Sequence, residues 1–190
     1  MNCDFIKTRL CPNWDRYSTP RNANELRDFI INQNVKSIIE VCSCEGWSAM
    51  WMAKYLPDDG SIVCVDHFGG SVGETAYPQD LYYRFLSNVK RAGQDVSKKI
   101  TPLRTSSIEA ASMLEIIVDM IYLDASHDEA NVYQDLLLWH PFCKSGGMMC
   151  GDDTIHPIHG DAVLRACERF AVEQNLDLHT TKDFWWYKKP

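Results

Sequence analysis

The chain of 190 residues lacks any hydrophobic run long enough to cross a bilayer; the longest, Ile116 to Leu123, is broken by Asp119. Its first ten residues hold no sustained apolar stretch, so a secretory leader is not expected there. No basic block occurs. Lys98-Lys99 and Lys188-Lys189 are only pairs, and 26 acids against 19 Lys and Arg leave a net charge of −7. That balance disfavours a nucleic-acid groove. No repeat, low-complexity tract or linker divides the sequence, so a single domain is expected over residues 1–190, with an irregular segment at 1–21. The G-x-G-x-x-G turn of nicotinamide-dependent dehydrogenases is missing. Cys42-x-Cys44 has no second close Cys/His pair to complete a zinc site, and no two-histidine-one-carboxylate spacing points to iron. Eight cysteines without a leader fit reduced thiols in a cytoplasmic protein.

What is present is a regular alternation of strand and helix patterns. Asn22 or Asn24 can cap a first helix with Leu26, Phe29 and Ile30 on one face. An apolar strand at 36–42 carries Glu40 near its end, and a helix follows at 46–56. Pro57-Asp58-Asp59-Gly60 is a strong turn into a second strand, 61–66, that closes on Asp66. Residues 67–78 read as a loop whose glycines 69, 70 and 73 suit a lid. A helix at about 79–92, a strand near 99–104 and a short helix capped by Ser106 or Ser107 come next. The fourth strand, V-D-M-I-Y-L-D, ends on Asp124, and a helix spans about 129–139. Ser145-Gly146-Gly147 reads as a turn before a fifth strand that runs from Met148 into Asp152-Asp153. A loop with His156 and His159, a helix at 161–174 and two tightly joined strands near 176–180 and 183–188 complete the chain.

Five alternations ending in a hairpin predict an α/β fold: a Rossmann-like, seven-stranded, mostly parallel sheet with helices on both faces and one antiparallel strand near the C-terminus. Ligands of such sheets bind beyond the carboxyl ends of the strands. Glu40, Asp66, Asp124 and Asp152-Asp153 would meet on that rim. Trp185 and Trp186 point to opposite faces of a strand, one expected in the core and the other at an edge, where a homodimer could form.

The segments E-V-C-S-C-E-G-W-S and Y-L-D-A-S-H-D-E-A-N-V-Y-Q-D-L-L-L-W, with G-G-x-x-x-x-D-D after them, carry a resemblance. Over roughly residues 36–175 the chain resembles a class I S-adenosylmethionine-dependent methyltransferase. It is most similar to small metal-assisted O-methyltransferases of the catechol and macrolide-sugar type. The resemblance implies that Glu40 supports the cofactor turn and that backbone at Cys42 and Gly46 passes the methionine end, with Ser48 at the start of the helix below. It implies ribose binding by Asp66, adenosine edged by His67 and Phe68, and adenine beside Ser106 and Ser107. Asp124, Asp152 and Asp153 match the family's divalent-metal ligands, for Mg²⁺ or another divalent cation, and Asp124 also reaches the cofactor side. His127 and Asp124 match the groups that would take the acceptor's proton. Cys42 stands where the family usually has glycine, and Ser126 where many relatives have a second Asp. The implied reaction is methyl transfer to the oxygen of a small-molecule acceptor, a sugar or a phenol, with no nucleic-acid or membrane partner. The alternatives are a non-catalytic methyltransferase-like binding module and a nicotinamide-dependent oxidoreductase. Trp14 and Tyr17 are expected to close the cofactor pocket.

Overall fold

The structure, a computed structural model, describes residues 22–69 and 79–190. Trp14, Tyr17, Gly70 and Gly73 lie outside these residues. The elements run α1 (Ala23–Asn32), β1 (Ser37–Val41), α2 (Trp47–Tyr55), β2 (Ser61–Asp66), α3 (Leu81–Arg91), α4 (Gln94–Ser97) and β3 (Ile100–Arg104). They continue with α5 (Ser107–Met113), β4 (Val118–Leu123), α6 (Glu129–Trp139), β5 (Cys143–Asp152), α7 (Ala162–Gln174), β6 (His179–Thr180) and β7 (Phe184–Lys188). The strands form one sheet in the order β3-β2-β1-β4-β5-β7-β6. All neighbouring pairs from β3 to β5 are parallel, and β7 is antiparallel to both β5 and β6. The expected architecture is therefore the observed one.

Period-two patterning divides the core between the two faces of the sheet. Ile38, Ile62 and Met120 pack with Leu26, Met52 and Phe85 from α1, α2 and α3. Ile39, Ile121 and Met149 pack on the other face with Leu136, Trp139 and Phe170 from α6 and α7. Covering both faces is what a parallel sheet requires, and it makes β1 almost continuously apolar. Glu40 is the exception, and it is wholly buried. Lys99, 6% exposed, turns its ammonium to the carbonyls of Ala53 and Leu56 and so closes the C-terminal end of α2.

Three details differ from the sequence expectation. The Ser145-Gly146-Gly147 segment lies inside β5, which begins at Cys143. The β4–β5 register shifts there, between Val118 and Met120. Gly146 has φ +75°, and a Cβ on Gly147 would come 2.8 Å from the Asp119 carbonyl oxygen, so glycine here permits a bulge rather than a turn. The penultimate strand is only His179–Thr180, shorter than 176–180. Trp185 is buried as expected, whereas Trp186 packs against Phe29 of α1 with ring centroids 5.4 Å apart and tilted by 57°, and is partly covered.

Candidate functional site

The carboxyl ends of β1 and β2 form one half of the rim. Asp66 closes β2 and is 7% exposed. Its two oxygens accept the backbone N–H of Cys44 at 2.8 Å and of Phe68 at 2.5 Å. It thereby ties the β1 turn to the β2 turn, and each oxygen keeps a second lone pair. The turn after β1 holds two cysteines at positive φ, Cys42 at 71° and Cys44 at 48°. That conformation is one L-residues with a Cβ adopt at a cost, which accounts for glycine being usual at such a place. Burial, with the charges of Asp66 and Asp124 added, pushes the Cys42 thiol well above its ordinary value; burial pushes Cys44 up to about 12. Both shifts favour the neutral thiol.

Behind this turn, the Glu40 carboxylate accepts the Ser48 hydroxyl proton at its Oε1. Its Oε2 meets no donor in hydrogen-bonding geometry. Burial raises the Glu40 pKa, and the nearby Ser43 and Ser48 hydroxyls oppose that rise. Gly46 begins α2 at φ +85°, and a Cβ there would stand 3.0 Å from the Phe85 ring. Its need for glycine thus comes from backbone conformation and from α3 packing on the turn. Arg84 of α3 reinforces that contact through ion pairs to Glu45 and Asp80, each at 3.1 Å.

A cavity of about 360 Å³ opens beside the turn, walled by Cys42, Asp66 and His67 on one side and by Ser107, Asn131 and Asp135 on the other. The far wall is built from α5 and α6. Ser106 caps α5 in a reciprocal capping box with Glu109, so its side chain is already engaged. Ser107 donates to Asp135 Oδ1 at 2.6 Å and accepts from Trp139 Nε1 at 2.8 Å.

The ends of β4 and β5 form the second half. Asp124, His127 and Asp153 each bring a ligand atom within 4.8 Å of the other two. His127 Nε2 lies 3.0 Å from Asp153 Oδ2. Asp153 holds φ +57°, another strained residue at the rim. Burial first, and then the charges of Asp152 and Asp153, push the Asp124 carboxyl well above its usual range, against the pull of His127. The His127 ring stacks on His156 with centroids 4.1 Å apart and 10° between planes, and His159 lies 5.2 Å from His156. His156 Nδ1 accepts the N–H groups of Ile158 and His159, both at 3.3 Å, which folds the loop back onto the cluster. A smaller cavity of about 20 Å³ lies among Asp124, His127 and Asp152. It shares Ala125, Ser126 and Asp135 with the larger one.

Of the residues singled out in the sequence, Cys42, Asp66, His67, Ser106 and Ser107 line the larger cavity. Glu40, Gly46 and Ser48 are absent from its lining and brace the turn from behind. Phe68 is turned into the core, where it meets Tyr82 and Phe85. Asp124 and Asp153 come together, with His127 in place of Asp152 as the third member of the close group. Asp152 instead accepts the backbone N–H of Asp153 at 2.7 Å. Sequence reasoning missed Asp135 and the stacking of His156 on His127. Asp135 lies 28 positions from its serine partner, and only the spacing of Asp135 and Trp139 on one helix face hinted at a shared wall.

Comparison with known proteins agrees with this geometry. A search of curated proteins returns no match. Among solved structures, the O-methyltransferase TomG of Streptomyces achromogenes, in complex with SAM, is 15% identical, with 97% of this chain and 89% of that one covered at a TM-score of 0.67. An O-methyltransferase from Bacillus cereus, in complex with SAH, is also 15% identical, with coverage of 98% and 96% and a TM-score of 0.65. The SAH-bound methyltransferase PaMTH1 of Podospora anserina is 14% identical, with coverage of 98% and 85% and a TM-score of 0.68. At such identities these likenesses establish the fold. The family model described as a methyltransferase domain matches residues 39–154, more than half of the chain and the whole span from the β1 turn to the acidic rim, so the protein belongs to the methyltransferase-domain family.

Proposed function

We propose that the protein is an S-adenosylmethionine-dependent O-methyltransferase acting on a small hydroxylated acceptor. The observation that carries this reading is the adjacency of two unlike cavities that share lining residues. The larger has Asp66 and the β1 turn in its wall, the smaller has Asp124, His127 and Asp152, and Ala125, Ser126 and Asp135 border both.

The larger cavity suits a nucleoside. The Asp66 carboxylate offers its remaining lone pairs to a vicinal pair of ribose hydroxyls. Apolar Val41, Val65 and Ile108 stand in the same wall. The bound cofactor supplies an activated methyl group on a sulfonium, so the protein's own task is alignment. Well-oriented reactants can gain about 7–11 kcal/mol in this way.

The smaller cavity would hold the acceptor oxygen. Asp124, His127 and Asp153 are the residues that would hold a divalent cation, which when bound would lower the pKa of the acceptor hydroxyl. Two carboxylates and an imidazole accept Mn²⁺ or Zn²⁺ as well as Mg²⁺, because nitrogen donors favour transition metals. With a cation in place His127 would be a ligand. Without one, the imidazole braced by Asp153 is the group set to take the acceptor proton. The His156–His159 loop stacks over this point and would keep water from it.

Isothermal titration with S-adenosylmethionine tests the reading, with EDTA, Mg²⁺ or Mn²⁺ present. Micromolar binding is expected, followed by methyl transfer in a screen of phenols and sugars. NADH bound more tightly than S-adenosylmethionine would overturn it.

A further inference from the structure

Within the wall formed by α5 and α6, the stretch made by Ser107 and Asp135 is chemically one-sided. The Trp139 indole is wholly buried and can only donate, and it donates to Ser107 Oγ at 2.8 Å. The single Ser107 proton therefore goes to Asp135 Oδ1, 2.6 Å away. Ser107 has no proton left for a ligand and offers it only a lone pair. Asp135 Oδ2 accepts from none of the described residues, and Asp135 lines the larger cavity. This stretch of wall consequently presents acceptors alone, fixed in direction by a buried tryptophan.

We propose that Asp135 selects the base of the cofactor, accepting a hydrogen bond from the exocyclic amino group of adenine, with Ser107 held beside it as a second acceptor. This rests on the S-adenosylmethionine reading above. With ribose on Asp66 at the end of β2 and the methionine end at the β1 turn, the opposite wall is left for the base. Adenine attached through its ribose nitrogen has one donor group, the amino group. Hypoxanthine has a carbonyl at that position and would set an acceptor against acceptors. Burial raises the Asp135 carboxyl above its usual value, the nearby Asp128 charge adds to this, and the Ser107 O–H opposes it. An amino donor arriving from the ligand further stabilises the ionised form. Asp135 is thus a specificity residue that touches the cofactor, and Trp139 is a positioning residue acting through Ser107.

The test is titration of the full chain with S-adenosylhomocysteine and with S-inosylhomocysteine, on the native protein and on Asp135→Asn. The native protein should bind the adenosyl compound about 10–100-fold more tightly, the range expected when a hydrogen bond to a charged group is replaced by opposed acceptors. Asp135→Asn can turn its amide N–H₂ toward the ligand, so the ratio should fall toward one or invert. A loss of packing alone would weaken both ligands and leave their ratio unchanged. A native ratio near one, or a ratio unmoved by Asp135→Asn, overturns the proposal while the cofactor reading stands. Binding of neither compound by the native protein overturns that reading and this proposal together. Should Asp135→Asn fail to fold, Ser107→Ala supplies a milder variant in which the ratio should shrink, and an unmoved ratio there overturns the proposal.

Discussion

Strand β4 carries one carboxylate near each end, and the two have opposite fates. Asp119, at the N-terminal end, accepts the backbone N–H groups of Lys36 and Ser37 at 2.7 and 2.8 Å and the Ser37 hydroxyl at 3.1 Å, and it pairs with Lys144. Burial pushes its pKa up, but Lys144 and these donors outweigh burial and hold it below 3.8. Asp124, just past the C-terminal end, accepts a hydrogen bond from none of the described residues, faces Asp152 and Asp153, and is pushed well above that value. The same residue type, five positions apart, is held ionised by donors in one place and pushed toward its neutral form by burial and like charge in the other. Strained backbone follows the same division. Cys42, Cys44, Phe68 and Asp153 have positive φ at carboxyl ends of strands, whereas Asn34 and Asn175 have it just past helix ends. Asparagine is at home in that conformation; cysteine and phenylalanine are not. Strain persists where surrounding contacts over-determine it, here on the ligand rim.

This contrast can be broken by substitution. The largest effect is expected from His127→Ala, which removes both the ligand and the proton acceptor of the acidic end. Methyl transfer should fall by about 10²–10⁴, with S-adenosylmethionine affinity nearly unchanged, as measured by single-turnover rate and by titration. At the opposite end, Asp119→Ala should leave the backbone N–H groups of Lys36 and Ser37 and the Lys144 ammonium without their acceptor. Unfolding free energy should drop by about 1–3 kcal/mol in urea titration, with activity per folded molecule intact.

Asp124→Asn should do the reverse. Because the folded pKa of Asp124 lies above its unfolded value, the folded state holds that proton more tightly, and stability is lost as pH rises from the unfolded value toward the folded one. In EDTA the Asn variant should gain stability over the native protein on going from pH 4 to pH 7, while activity is lost. Asp119 has the opposite sign: its lowered pKa contributes stability above the unfolded value, lost as pH falls through the folded one, below 3.8. Urea midpoints of native protein and Asp119→Asn should therefore converge as pH falls below the usual aspartate range. The smallest effect is expected from Cys42→Gly. Relief of positive φ, about 1 kcal/mol, is offset in part by the greater freedom of glycine in the unfolded chain, so stability should change little. S-adenosylmethionine binding should tighten, because a side chain leaves the cavity wall.

The legible parts of the site are those whose position follows from a strand end. Glu40, Asp66, Asp124 and Asp152-Asp153 could be placed on one rim because apolar period-two runs mark where each strand stops, and parallel connectivity puts those stops on one side. The Gly146-Gly147 pair signals a turn and a bulge alike, and only the β4 register separates the two. Two adjacent acids after a strand point in different directions, and sequence does not say how each is engaged. Asp152 caps the next backbone N–H, and Asp153 turns to His127.

By itself, the sequence determined the α/β alternation, the sheet with its antiparallel β7 and the acidic rim, since these follow from hydrophobic period and from the handedness of crossovers. Tertiary structure alone decided which carboxylates are partnered and which are not. Asp119 meets Lys36 and Lys144 only after β1, β4 and β5 lie side by side, and Ser107 meets Asp135 and Trp139 only when α5 docks on α6. Those pairings lie 25 to 83 residues apart along the chain, and a carboxylate's charge state depends on what surrounds it, not on its neighbours in sequence.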